Sequence, residues 1–228
     1  MLKIRSFFTC LCLLIFLTHD IYAQEFGVRA GATFSFFTND FVMRGGNPGL
    51  VVGGIASLPL SDAIHVSAGL DYSQLCGQID GLPEVTNAGA VVTKESNITI
   101  HMLEASALGG YKLPLSFLGD ASPSIMGGLS IGYNLGSWDY YIAQHYYNEV
   151  ITRYSGNENI KSLTDTWLPA WIVGLRFATP LDDGLFSKML IDIRLRSSFD
   201  APINTYPLNG SPQQPGVRSI SFSLGFMF

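Results

Sequence analysis

What most constrains this chain is a strict alternation with a period of two residues, repeated along its length. In "EFGVRAGATFS", Phe26, Val28, Ala30, Ala32 and Phe34 share one face, while Gly27, Arg29, Gly31, Thr33 and Ser35 share the other. In "AIHVSAGLDYS", Ile64, Val66, Ala68, Leu70 and Tyr72 stand against His65, Ser67, Gly69, Asp71 and Ser73. "SIMGGLSIGYNL" opposes Ile125, Leu129, Ile131, Tyr133 and Leu135 to Met126, Gly128, Ser130, Gly132 and Asn134. The last residues, "SISFSLGFMF", set Ile220, Phe222, Leu224, Phe226 and Phe228 opposite Ser221, Ser223, Gly225 and Met227. Side chains alternate across a strand, so each segment is a strand with one apolar face and one small or polar face. An apolar row this regular near a chain end must be covered by a protein core or by lipid.

The polar face decides between the two. The outward face of a soluble sandwich carries many Lys and Glu, whereas this one carries Gly, Ser, Thr and Asn. Charged residues are only 14% of the chain and hydrophobic ones 47%, with 24 glycines, against roughly 25% charged in typical soluble domains. Small residues suit the crowded lumen of a narrow barrel whose apolar rows face lipid. The sequence offers no apolar run near ~18 residues after its first segment, so no membrane helix is expected. The formal net charge is -5 and no basic cluster occurs, so nucleic acid is not an expected partner.

The first segment reads as a signal peptide over residues 1–23. Lys3 and Arg5 precede the apolar run Phe7 to Leu17, and Ile21-Tyr22-Ala23 offers a small residue at the cut, giving a mature chain from Gln24. The expected domain is then 24–228, with Cys76 its only cysteine and therefore no disulfide within it.

Turns set the strand count. "SLPLSD" at Pro59, "KLPLSFLGD" at Pro114 and "ATPLDDG" at Pro180 are short reversals, since proline cannot donate into a strand ladder. Longer polar or Gly/Pro-rich stretches near 36–47, 77–96, 137–163 and 199–216 alternate with them. Three short turns and four long loops join eight strands. The expectation is an all-β, eight-stranded antiparallel transmembrane barrel with short periplasmic turns and longer extracellular loops. Its last strand must pair with the first near Phe26, because every backbone group needs a partner within lipid. The expected location is the outer membrane, reached by export, with its lipid and the barrel-insertion machinery, acting on the C-terminal strand, as partners.

"MLEASALGGYKLPL" followed by "PSIMGGLSIGYNL" resembles the PorT-like outer-membrane β-barrel domain common in Bacteroidetes. Leu103, Glu104, Tyr111 and Lys112 match the family's first such strand, and Gly128, Ser130 and Tyr133 match the next. Arg194 in "LIDIRLRSS" and the segment "SISFSLGFMF" match its last two strands, while Ser106 replaces a usual Pro and Leu195 a usual Tyr. The resemblance implies the fold and the outer membrane. Some family members are linked to secretion or surface attachment, and the family supplies no catalytic residues.

Two sets of residues are candidates for function. The polar rows place Arg29, Asp71, Glu104, Lys112, Arg176, Asp192, Arg194 and Arg196 in the lumen, beside His65. A paired structural network is expected there, centred on Glu104 with Arg194 or Lys112 as partner; a narrow, porin-like solute or ion path is the alternative. The second set is the aromatic stretch containing Trp138, Tyr140, Tyr141, Tyr146, Tyr147 and Tyr154. It is read both as an interfacial belt and as a contact surface for an envelope protein. A lipid-modifying enzyme is a remote alternative: Ser96 and Glu95 lie near His101, without triad spacing. No cofactor or metal is expected, since neither a Cys pair nor ligand spacing occurs. The expected role is non-enzymatic and structural or interaction-based.

Overall fold

The computed structural model describes residues 24–38, 44–80, 84–85, 91–114, 121–147, 150–181, 184–199, 206–208, 211–213 and 216–228. The expected signal segment 1–23 lies outside them. Eight long strands close into a ring: β1 (Glu25–Thr38), β2 (Arg44–Pro59), β3 (Ile64–Asp80), β5 (Val91–Lys112), β6 (Ser122–Tyr147), β8 (Trp167–Pro180), β9 (Lys188–Ser198) and β12 (Gly216–Met227). Every neighbouring pair is antiparallel, and β12 returns to β1 with Ala30 opposite Leu224. The closure reaches the chain's end, where the Phe228 N–H donates to the Phe26 carbonyl at 2.7 Å. Closure removes the sheet edges, so the ring's ladder groups pair with one another. Four shorter strands lie outside the ring: β4 (Glu84–Val85), β7 (Val150–Asn159), β10 (Tyr206–Leu208) and β11 (Ser211–Gln213).

The alternation is realised inside out. Val28, Leu70, Leu129, Val173, Ile191 and Leu224 are exposed on the outer wall, whereas Arg29, Asp71, Arg176 and Asp192 are buried in the lumen. Aromatic side chains flank the aliphatic zone. At the end carrying the short turns, Phe186 packs 5.0 Å from Phe226 and 5.4 Å from Phe228. At the opposite end, Tyr133 meets Trp167 edge-on at 5.0 Å. On β1, Phe26 lies at the short-turn end beside Phe228 and exposed Phe34 follows eight residues later; eight strand residues cover ~27 Å, or about 20 Å of height once tilted.

The strands run further than expected. Stretches 77–96 and 137–163 were expected as loops, but β3 continues to Asp80, paired with Glu95 of β5. Strand β6 continues to Tyr147, and β7 folds back along it with Trp138 opposite Asn159. Beyond the apolar zone, the outward positions of β3 and β5 become polar, with Gln74 and Gln78 on one and Glu95, Asn97, Thr99 and His101 on the other, which erases the greasy row that marks a strand in the sequence. A bulge adds to the difference. Met102 faces Asn134 but His101 faces Gly136, so Leu135 is extra and the inward parity of β6 flips to Ser137 and Asp139. Of the other expected loops, 39–43 and 200–205 lie outside the described residues. Pro207 and Pro212 face each other in the small β10–β11 pair.

Candidate functional site in the lumen

The register explains how the charges meet. Across β1, β2 and β3, Arg29 lies opposite Gly53, and Gly53 opposite Asp71. Because Gly53 has no side chain, the Arg29 guanidinium crosses β2 and donates from Nε to Asp71 Oδ1 at 2.8 Å. A Cβ on Gly53 would stand 2.3 Å from that oxygen. On the other side of the ring, Arg176 is directly opposite Asp192. It donates from Nε to Oδ1 at 2.7 Å and from Nη2 to Oδ2 at 2.9 Å. Asp192 also accepts from Arg194 Nη2 at 2.7 Å and from Arg29 Nη1 at 3.3 Å. Asp192, 2% exposed, is the hub of three arginines.

Glu104 forms a second knot, accepting from Arg196 Nε at 2.7 Å and from Ser130 Oγ at 2.6 Å. The expected centre and partners are thereby corrected. Arg194 is drawn to Asp192, two residues along the same face of β9, and Arg196 takes Glu104. Lys112 is exposed at the turn end of β5, eight residues and about 26 Å of strand from Glu104. The remaining void between these groups has a volume of about 30 Å³, room for one or two water-sized species.

Below this charged belt, towards the short turns, the lumen widens into a vestibule of about 220 Å³, lined by Ser57, His65, Lys112, Ser124 and Arg176 among others. An ion pair between Lys188 and Glu25 stands at its wall. The buried His65 ring lies over Gly110, where a Cβ would approach to 2.2 Å.

Above the belt the lumen is filled by hydrocarbon. Phe37, Leu75, Ile98, Ile100, Met102, Leu168 and Val217 pack together with Ile160, which enters from the segment after β7. The Ile160 N–H donates to the Ser137 carbonyl at 2.9 Å. Buried Asn134 ties the returning chain down, donating from Nδ2 to Thr164 Oγ1 at 2.7 Å and to Ser137 Oγ at 3.0 Å. This plug was missed by sequence reading. Its signal was the row Ile98, Ile100 and Met102 on the face that carries Glu104 and Ser106 lower down.

The aromatic set rides on the β6–β7 hairpin above the plug. Trp138, Tyr140, Tyr146 and Tyr154 are exposed, while Tyr141 is half-buried with Lys94 Nζ 4.3 Å from its ring centre. The Tyr147 side chain lies outside the description. Tyr154 Oη and His145 Nε2 share a hydrogen bond of 2.8 Å. The enzyme alternative gains no geometry. Ser96 points into the lumen, donating to Asp139 at 3.2 Å, whereas His101 lies on the other face and bonds Tyr72 Oη at 2.7 Å. Glu95 is six residues from His101, about 20 Å along the strand. Among the described residues no group of His, Cys, Asp and Glu is placed to hold a metal ion.

No protein-family model and no curated protein matches the chain. Solved structures do. The attachment invasion locus protein Ail of Yersinia pestis is 12% identical over 90% of this chain and 98% of its own, with a TM-score of 0.40. Neisserial surface protein A is 10% identical over 89% of this chain and 97% of its own, at 0.38. The outer membrane protein OprG from Pseudomonas aeruginosa is 17% identical over 90% and 96%, at 0.35. The fold assignment rests on the chain's own closed strand register.

Proposed function

We propose that this chain is a non-conducting barrel of a Gram-negative outer membrane, which anchors the β6–β7 hairpin at the cell surface as a contact site for another envelope component. The observation that carries the reading is the inside-out wall: apolar side chains exposed around the ring, charges sealed within it. Exposed hydrocarbon on this scale needs lipid. With an even number of strands, both ends of the ring's chain lie on the short-turn side, which faces the periplasm in this reading, and the hairpin projects outward. The resemblance to PorT-like barrels agrees with this role, and β12 is the segment we assign to the insertion machinery.

Lumen filling favours an anchor over the solute-channel alternative. A permeating ion would have to break the Asp192 and Glu104 knots and then cross a hydrocarbon plug. Both steps are costly, because buried ion pairs and desolvated ions resist separation. Exposed Tyr and Trp favour recognition at the hairpin, since these residues dominate binding hot spots.

The test is to crosslink intact cells carrying a tagged chain, isolate the outer membrane and identify what is joined to it. A reproducible partner lost on shortening the hairpin between Tyr140 and Asn157 is the expected result. Recovery in the outer membrane with the same partners after shortening would overturn the hairpin's role. Absence from the outer membrane would overturn the barrel's placement, and steady conductance in planar bilayers would overturn the closed lumen.

A further inference from the structure

The charged belt does not balance. Among the described residues, Arg29, Arg176, Arg194 and Arg196 are buried there with three carboxylates, Asp71, Glu104 and Asp192. A protonated His65 would add to the excess. The other buried carboxylate among the described residues, Asp139, sits higher in the barrel and is paired with Lys94. One positive charge is thus left over in a region shielded from water, where an uncompensated ion is strongly unfavourable.

A second observation locates the imbalance. Arg194 Nε and Arg196 Nη1 are buried donors with no hydrogen-bond partner in the protein, although their residues are only 6% and 5% exposed. Both arginines line the void of about 30 Å³, together with Ser73, Ser219, Ser221 and Ser223. Asp71 and Glu104 reach the same wall but are committed to Arg29 and Arg196. Two guanidinium N–H groups without a partner in the protein, with a row of serine hydroxyls along β12 and Ser73 on β3, make a donor-rich lining.

We propose that this void is a binding site for one small monovalent anion, chloride in the first instance. Water would satisfy the donors but leave the excess charge. A single halide does both, whereas sulfate, phosphate and organic anions are too large for a space of one or two waters. The ion is a resident of the lumen, completing the knot between Arg194 and Arg196, and the inference is independent of what the hairpin contacts.

The experiment uses the mature chain in detergent. Crystals soaked in sodium bromide should show an anomalous peak between Arg194 and Arg196. Urea unfolding midpoints should rise saturably with chloride or bromide and not with gluconate at equal ionic strength. Ser221 lies directly opposite Arg194 in the β9–β12 register. Ser221→Asp therefore supplies a fixed carboxylate and should abolish both the peak and the halide dependence. Midpoints equal in chloride and gluconate, with no anomalous peak in the void, would overturn the site. So would an undiminished halide dependence in a folded Ser221→Asp barrel. Should that variant fail to fold, the bromide map of the unaltered chain decides alone.

Discussion

Strand β5 carries two opposite patterns along one continuous ladder. From Leu103 to Gly109 its outward residues are Leu103, Ala105, Ala107 and Gly109, with Glu104, Ser106 and Leu108 inside. From Asn97 to Met102 the outward residues are Asn97, Thr99 and His101, and the inward ones are Ile98, Ile100 and Met102, each fully buried. The parity of the strand never changes, yet its chemistry inverts between Met102 and Leu103. Strand β3 turns over at a matching height, with Asp71 and Ser73 inside below and Leu75 inside above. A wall that is apolar outside suits lipid, and a wall that is apolar inside suits water. The same eight-stranded ring is therefore apolar outside at one end, as suits lipid, and apolar inside at the other, as suits water.

The two lumens are also closed by different physics. The lower one is held chiefly by charge-assisted hydrogen bonds that are directional and register-dependent, beside two small apolar clusters, Leu108 with Met126 and Ile172, and Ile55 with Leu190 and Met227; the upper one is held by packing, which is tolerant of shape but not of voids. Substitutions that test each wall separate the halves. The largest effect is expected in the lower lumen: Asp192→Ala strands Arg176 and Arg194, leaves Arg29 with Asp71 alone, and costs about 3–5 kcal/mol, read as a lower urea midpoint and loss of the heat-resistant barrel on gels. In the upper lumen, Met102→Ala opens a cavity worth about 2–5 kcal/mol in the same assay. Neither change should produce conductance alone, because each leaves the other closure intact, and planar bilayer recordings check this.

On the outer wall of the lower half, Leu129→Arg places a charge where Leu129 is 60% exposed at mid-height, for a penalty of about 2–4 kcal/mol if lipid lies there. Folding yield into liposomes measures it, and an unchanged yield would refute the boundary. The smallest effect belongs to the outer wall of the upper half. Tyr140→Lys on the hairpin should shift stability by no more than about 0.5 kcal/mol, while reducing crosslinking to any partner that uses the aromatic face.

Membership of the charged row was legible because parity alone puts Arg29, Asp71, Glu104, Arg176, Asp192, Arg194 and Arg196 on one side of their strands. Their pairing was not legible. It depends on which strand lies beside which, and on Gly53 leaving a lane from Arg29 to Asp71. Asp192 rather than Glu104 is the hub because Arg176 lies opposite it in register and Arg194 two residues along the same face. The extended β3 and β5 read as loops because their outward residues turn polar and lose the apolar row, and the hairpin because the β6 alternation breaks at its irregular pairing with β5. The bulge at Leu135 then moved Ser137 and Asp139 inward against a simple count.

The sequence by itself determined an all-β chain of alternating strands, the eight-strand count from its turns, and the closing pair between its first and last strands. These follow from local rules: side-chain period, the missing donor of proline, and the need to pair every backbone group. Only the tertiary structure decided that Asp192 gathers three arginines, that Ile160 folds back to seal the lumen, and that four arginines meet three carboxylates in the belt among the described residues. Those outcomes depend on distances between strands remote in the chain, which the shear of the closed ring sets and no single strand contains.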